Sequence, residues 1–298
     1  MTALTRRDFL RNSTAATAAL AASPLAAQLA MGAEKPGAKM RLGLVTYLWG
    51  RDWDLPTLIA NCEKSGVLGV ETRTTHAHGI EPSLSAKERQ EVKKRFADSP
   101  VVLVGPGSNE RFDSPDPAKL KAAIEATKAF LKLSHDCGGS GVKVKPDSFH
   151  DGVDHNVTIA QIGKALNEVG AYAADYGQEV RLEVHGRCAA LPVIKKIMDH
   201  VDAKSVGVCW NSNDADLQGE GLAHNFDLVK DRFGATVHIR ELNEGNYPYQ
   251  ELMNLLVAMN YGGWILLEAR GTPADRVAAL IEQRELFAAM IAAAQATS

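Results

Sequence analysis

From Met40 onward the chain repeats one pattern of apolar and polar positions: a short β-branched or apolar run, a polar loop with Gly, Pro, Asn or Asp, then an amphipathic stretch ending near Gly or Asn. Eight runs read as strands: Arg41–Tyr47, Gly66–Thr72, Val101–Gly105, Gly141–Lys145, Val180–His185, Ser205–Asn211, Ala235–Glu241 and Trp264–Arg270. The stretches between them carry helix boundary signals. Ser85 with Glu88 forms a capping-box pattern, and Asp116 before Pro117 reads as an N-cap with proline at the first helical position. Ile159, Ile162, Leu166 and Val169 recur at spacings of three and four and stop at Tyr176-Gly177; Leu191, Ile194, Ile197, Met198 and Val201 repeat the pattern one unit later. Strand and helix alternating in this way demand a parallel sheet with right-handed crossovers. Eight βα pairs in about 250 residues predict an α/β fold of the closed (β/α)₈ TIM barrel type, spanning residues 40–293.

Phosphate-cradling loops find no support in this pattern. No Gly-x-Gly-x-x-Gly follows the first strand, and Cys137-Gly-Gly-Ser-Gly141 lies between a helix and a strand, where it reads as a turn. Gly105-Pro106-Gly107-Ser108 does follow a strand but lacks the Lys and Ser/Thr of a P-loop.

Strand parity points polar groups inward. In Arg181-Leu182-Glu183-Val184-His185, Leu182 and Val184 form the face that meets the helices, so Glu183 and His185 face the barrel axis. The same alternation turns Lys143 and Lys145, Asn211, His238 and Arg240, and Glu268 and Arg270 inward. A barrel interior is ordinarily filled with branched apolar side chains, and active sites in this fold sit at the C-terminal ends of the strands. A single inward Glu or His there could be a salt-bridged core residue; agreement among several strands is harder to assign to coincidence. Two carboxylates and one imidazole converging from the fifth, seventh and eighth strands make a ligand set suited to one divalent cation, Mn²⁺, Mg²⁺, Co²⁺, Zn²⁺ or Fe²⁺.

Composition narrows the function classes. Of the 298 residues 45% are hydrophobic and 23% charged, enough for a large core, and the net charge of −3 argues against a partner met by a strongly basic surface, such as nucleic acid. Cys62, Cys137, Cys188 and Cys209 are scattered without a Cys-x-x-Cys pair, which removes zinc-ribbon and thioredoxin readings and predicts four buried free thiols. The start, Thr5-Arg6-Arg7-Asp8-Phe9-Leu10-Arg11 followed by an Ala-rich, weakly apolar stretch from Thr14 to Ala30, resembles a twin-arginine export signal over residues 1–33. Pro24 and Gln28 interrupt that stretch, so no permanent membrane span is expected. The expectation is a periplasmic or secreted protein, handled during export by the twin-arginine translocase, with a mature charge of about −5 once Arg6, Arg7, Arg11 and Asp8 are removed.

The segments Leu182-Glu183-Val184-His185, Val208-Cys209-Trp210-Asn211-Ser212-Asn213, Val237-His238-Ile239-Arg240-Glu241 and Leu266-Leu267-Glu268-Ala269-Arg270 resemble the xylose isomerase-like barrels that include sugar phosphate isomerases and epimerases. The resemblance covers Met40 to Ala293. It implies one divalent metal held by Glu183, Asn211, His238 and Glu268, where the family has Glu, Asp, His and Glu on strands five to eight. Asn211 is a departure: its amide brings no negative charge, so a weaker site is implied unless Asp214 or Asp216 substitutes. Glu241 stands where the family usually has Asp.

The activity implied is a metal-dependent sugar isomerase or epimerase working by proton transfer next to a carbonyl through a metal-stabilised enediolate, with Glu183 and Glu268 as acid and base. Lys145, His185, Arg240 and Arg270 are the candidates for contacts to a small carbohydrate substrate. Two alternatives stay open: a keto-sugar or keto-inositol dehydratase using the same site, and a non-catalytic periplasmic sugar-binding barrel. The related apurinic-site endonucleases have many more His and Asp ligands and need a basic DNA surface, neither visible here.

Overall fold

The computed structural model describes residues 35–297; the twin-arginine pattern and its Ala-rich stretch lie outside these. Eight strands run in chain order: β1 (Arg41–Val45), β2 (Gly69–Arg73), β3 (Val102–Arg111), β4 (Gly141–Lys145), β5 (Glu179–Glu183), β6 (Val206–Asn211), β7 (Phe233–Ile239) and β8 (Trp264–Leu267). Each pairs in parallel with the next, and β8 returns to β1 with Arg41 opposite Trp264 and Leu44 opposite Leu267, closing the barrel. The helices between and after them are α1 (Leu55–Ser65), α2 (Ala86–Ala97), α3 (Pro117–Cys137), α4 (His155–Asp175), α5 (Leu191–Asp199), α6 (Leu222–Asp227), α7 (Tyr249–Ala258) and α8 (Arg276–Ala296). This is the predicted (β/α)₈ barrel.

The boundary signals act as read. The Ser85 side chain accepts from the Glu88 N–H while Glu88 Oε2 accepts from the Ser85 N–H at 2.7 Å, and Asp116 caps α3 at the Ala118 N–H. Helix α4 stops at Tyr176, with Gly177 in the left-handed region. Outward residues of the strands, among them Leu44, Val142, Leu182, Val208, Val237 and Leu267, are fully buried against the helices. Each such side chain contributes roughly 1.5–3 kcal/mol by leaving water. A smaller apolar cluster of Val45, Val104, Trp264 and Leu266 packs separately from this main core.

The first, fifth and seventh strands stop two residues short of the sequence expectation, at Val45, Glu183 and Ile239, so that His185 and Arg240 stand just past their strands, and two further ends differ more. The third strand was expected to end at Gly105, but β3 continues to Arg111 through Pro106. The ladder shifts register beside Gly105, which adopts φ 151° and approaches β4 so closely that a Cβ would stand 2.0 Å from the Gly141 carbonyl oxygen. A proline is tolerated at such an irregularity because the regular ladder bond is already lost. The last strand stops at Leu267 rather than Arg270, although the Glu268 N–H still donates to the Ile239 carbonyl at 2.7 Å. Glu268 and Arg270 therefore project from the loop after β8. All four cysteines are free and buried, and among the described residues no helix is long and apolar enough to cross a membrane.

Candidate metal centre and active site

The inner faces of the strands are polar at two levels. At the N-terminal side Arg181 is 1% exposed, pairs with Glu179 at 2.8 Å and donates to the Val104 carbonyl and to Ser140 Oγ, so its charge is fully partnered. Nearer the C-terminal ends stand Glu71, Lys143, Glu183, Asn211, His238 and Glu268, all buried. Alternation carries them there: Val142, Val144, Leu182, Val208, Trp210, Val237 and Ile239 take the outward positions, leaving the polar neighbours to face the axis.

Ligand atoms of Glu183, His238 and Glu268 lie within 4.8 Å of one another. His238 Nε2 meets Glu71 Oε2 at 3.2 Å, and Nδ1, 3.7 Å from Glu183 Oε1, is buried without a hydrogen-bond partner. A carboxylate on one ring nitrogen fixes the tautomer and leaves the other nitrogen's lone pair for a metal. Lys143 Nζ lies 2.8 Å from Glu183 Oε2, and Asn211 Nδ2 donates to Glu183 Oε1 at 2.9 Å. With His238 neutral, Glu71, Glu183 and Glu268 outweigh the single ammonium of Lys143 by two negative charges, which a divalent cation would balance. The residues present therefore fit a divalent metal. Half a turn of the Asn211 amide would present its oxygen in place of its nitrogen.

The electrostatics follow from burial and contact. Burial alone would raise the Glu183 pKa, but Lys143 and then His238 hold it well below the carboxylate range. Burial would also discharge Lys143, and Glu183 and Glu71 reverse this and raise its pKa. For His238 burial works against the charged ring, while Cys209, Glu71 and Glu183 lift its pKa well above the ordinary value. A metal competes with that proton, since coordination requires a neutral imidazole.

The other residues expected at the site lie farther up the strand ends. Lys145 is buried and its pKa is lowered, first by desolvation and then by Lys143. His185 Nδ1 meets Asp147 Oδ1 at 2.9 Å, and Asp147 also pairs with Arg111. Arg240 and Arg270 share the wall of a cavity of about 310 Å³ with Ser212, Asn213, Tyr247 and Tyr249. Asp216 does not join the ligand cluster: Oδ2 accepts from the Asn213 N–H at 2.9 Å and the Tyr247 hydroxyl at 2.7 Å. Asp214 lines the same cavity as Arg240, and Glu241 accepts from the N–H groups of Arg270 and Gly271. A larger cavity of about 540 Å³ lies at the opposite end of the barrel, lined by Met40, Leu42, Trp264, Phe287 and Ile291, without carboxylates or histidines.

Glu71 was not singled out from the sequence. Its signal is the parity of Val70-Glu71-Thr72-Arg73, which turns Glu71 and Arg73 inward on the second strand, outside the four segments that carry the family pattern. Gly107 makes room for it: a Cβ there would stand 2.6 Å from Glu71 Oε1.

A profile of the family described as xylose isomerase-like TIM barrel matches residues 59–290. No curated protein sequence matches the chain. Similar solved structures include a 3-keto-D-glucoside 4-epimerase from E. coli, with 16% identity over 84% of this chain and 100% of that one and a TM-score of 0.72. An L-ribulose 3-epimerase has 16% identity over 87% of this chain and 96% of its own, with a TM-score of 0.75. A D-psicose 3-epimerase from Clostridium cellulolyticum H10, solved with D-tagatose, has 17% identity over 85% of this chain and 99% of its own, with a TM-score of 0.72. At these identities the likeness establishes the shared fold.

Proposed function

Because the chain belongs to the xylose isomerase-like TIM barrel family, we propose that it is a metal-dependent sugar isomerase or epimerase that moves a proton at a carbon next to a carbonyl. The observation that carries the proposal is the buried convergence of Glu183, His238 and Glu268 at the C-terminal ends of the strands. The epimerases of a 3-keto-glucoside, of L-ribulose and of D-psicose that share the fold support it. Glu183, His238 and Glu268 would hold the metal, with the Asn211 amide as fourth donor. When bound, a divalent cation there polarises a substrate carbonyl and stabilises negative charge on its oxygen.

The chain's own groups supply the proton chemistry. Glu268 makes no side-chain hydrogen bond or ion pair among the described residues and is the carboxylate free to take the proton from carbon. Glu183 returns it on the other face. Lys145, His185, Arg240 and Arg270 orient the sugar from the layer above.

One observation favours a second reading, dehydration of a keto-sugar. Asn211 donates to Glu183 Oε1 and the Lys143 ammonium stands 2.8 Å from Oε2 as an ion pair that holds Glu183 ionised, whereas epimerisation by two bases asks both carboxylates to exchange protons. A single free base suits abstraction next to a carbonyl followed by loss of water. A screen of keto-sugars and ketoglycosides in D₂O with Mn²⁺, Co²⁺ or Mg²⁺, followed by NMR, separates the readings. Epimerised or isomerised sugar carrying deuterium supports the first, an unsaturated ketone the second, and no exchange into any ketose with a metal-loaded protein would sink both. The proposal also places the mature protein in the periplasm or outside the cell, exported folded by the twin-arginine translocase; folding first would let the metal be loaded in the cytoplasm.

A further inference from the structure

Of the groups placed above the metal centre, His185 alone is gripped by a carboxylate. Its backbone is still extended just past β5, with φ −144° and ψ 154°, so alternation beyond the buried Val184 keeps the imidazole on the face of Glu183. Nδ1 meets Asp147 Oδ1 at 2.9 Å. Nε2 makes no hydrogen bond among the described residues, and the side chain is 36% exposed.

Asp147 is itself held in a strained conformation. With φ 60° it is one of three non-glycine residues in the left-handed region among the described residues, a region a short polar side chain tolerates. Its carbonyl accepts from the Cys188 N–H at 3.1 Å, and its carboxylate pairs with Arg111 as well as with His185. Gly186 closes over it so tightly that a Cβ there would stand 2.3 Å from the Asp147 carbonyl oxygen. One aspartate thus clips the loops after β4 and β5 together through backbone and side chain alike. The hydrogen bond with His185, and beyond it Arg111, hold the Asp147 carboxyl below the usual carboxylate range although burial opposes this. An ionised carboxylate only accepts, so in the neutral ring Nδ1 carries the proton and Nε2 keeps its lone pair. Lys145, Arg240 and Arg270, the other groups placed to meet the sugar, can only donate.

From this we propose, resting on the sugar reading of the same site, that Asp147 is a positioning residue for His185, and that the Nε2 lone pair it sets up selects a hydroxyl rather than a carbonyl on the substrate carbon lying against it. A carbonyl there would set acceptor against acceptor, whereas beside the three cationic donors it is matched. The contrast fixes where along the sugar the keto group can lie. Two measurements on the full chain loaded with Mg²⁺ test this. Long-range ¹H–¹⁵N NMR at about pH 8, with the His185 ring assigned by its loss in His185→Phe, shows the Nδ1–H tautomer in the parent. In Asp147→Gly, which suits the left-handed backbone and is checked for folding by thermal unfolding, that tautomer is no longer the only one. Calorimetric titration with D-fructose and its 1-, 3- and 4-deoxy derivatives then finds at least one deoxy sugar bound about tenfold more weakly than D-fructose by the parent, because the acceptor is left unpaired. For that sugar the gap shrinks to about threefold or less in both Asp147→Gly and His185→Phe, while gaps for the other deoxy sugars persist. An Nε2–H tautomer in the parent, or gaps unchanged in both variants, overturns the inference and leaves the sugar reading standing. Binding of none of the four sugars removes both.

Discussion

At the scale of single residues, Glu183 and Glu268 share one layer but differ in freedom: Lys143 and Asn211 fix the first, while the second has no side-chain partner among the described residues. Glu268→Gln and Glu183→Gln should each lower solvent deuterium exchange into a ketose by about 10²–10⁴-fold, and each should weaken metal retention, as mass spectrometry of the loaded protein reports. Asn211 gives a sharper test. In Asn211→Asp a carboxylate replaces the amide 2.9 Å from Glu183 Oε1, so the metal-free protein should melt lower in EDTA while Mn²⁺ affinity rises about tenfold. A melting temperature lowered equally with and without Mn²⁺ would contradict a ligand role for this position. The residues that strand parity and the family pattern identify together were legible in the sequence, namely Glu183, His238 and Glu268. Glu71 was not, because its contact with His238 joins β2 to β7 across the closed barrel; nor was the pairing of Lys143 with Glu183, because strand parity turns both inward without fixing which side chains meet.

At the scale of elements, the loop after β6 hides a carboxyl that the proposed chemistry does not use. Asp216 is 0% exposed, its Oδ1 has no partner, and burial pushes its pKa up to about 7 from 3.8. The folded state thus favours the protonated form: this stabilisation is complete below about pH 4 and is lost as pH rises through about 7. Asp216→Asn should remove that slope. Its stability relative to the parent should be near parity at pH 4 and rise by on the order of 2 kcal/mol by pH 8, measured by urea unfolding. A constant difference across this range would show that Asp216 does not titrate between folded and unfolded states. Element order and number were legible because apolar runs alternate with amphipathic stretches, and α2, α3 and α4 mark an end through Ser85, Asp116 and Gly177. The end of β3 was not, because Gly105-Pro106-Gly107 has the composition of a loop and becomes strand only through its neighbours on β2 and β4.

At the scale of the whole molecule, the Arg6-Arg7 pair and the barrel make separable contributions. Arg6→Lys combined with Arg7→Lys should leave the purified protein's unfolding temperature unchanged while holding it in the cytoplasm, as fractionation measures; export undiminished would remove the twin-arginine proposal. Within the barrel, the pairing of β8 with β1 closes the ring, and the site depends on that closure at a distance. His238 on β7 lies 3.2 Å from Glu71 of β2 and 3.7 Å from Glu183 of β5, so one imidazole reads the position of three strands at once. A slip of any of them by one residue would turn its polar side chain outward and dismantle the centre, which makes the register of the barrel as much a part of the chemistry as the acids themselves.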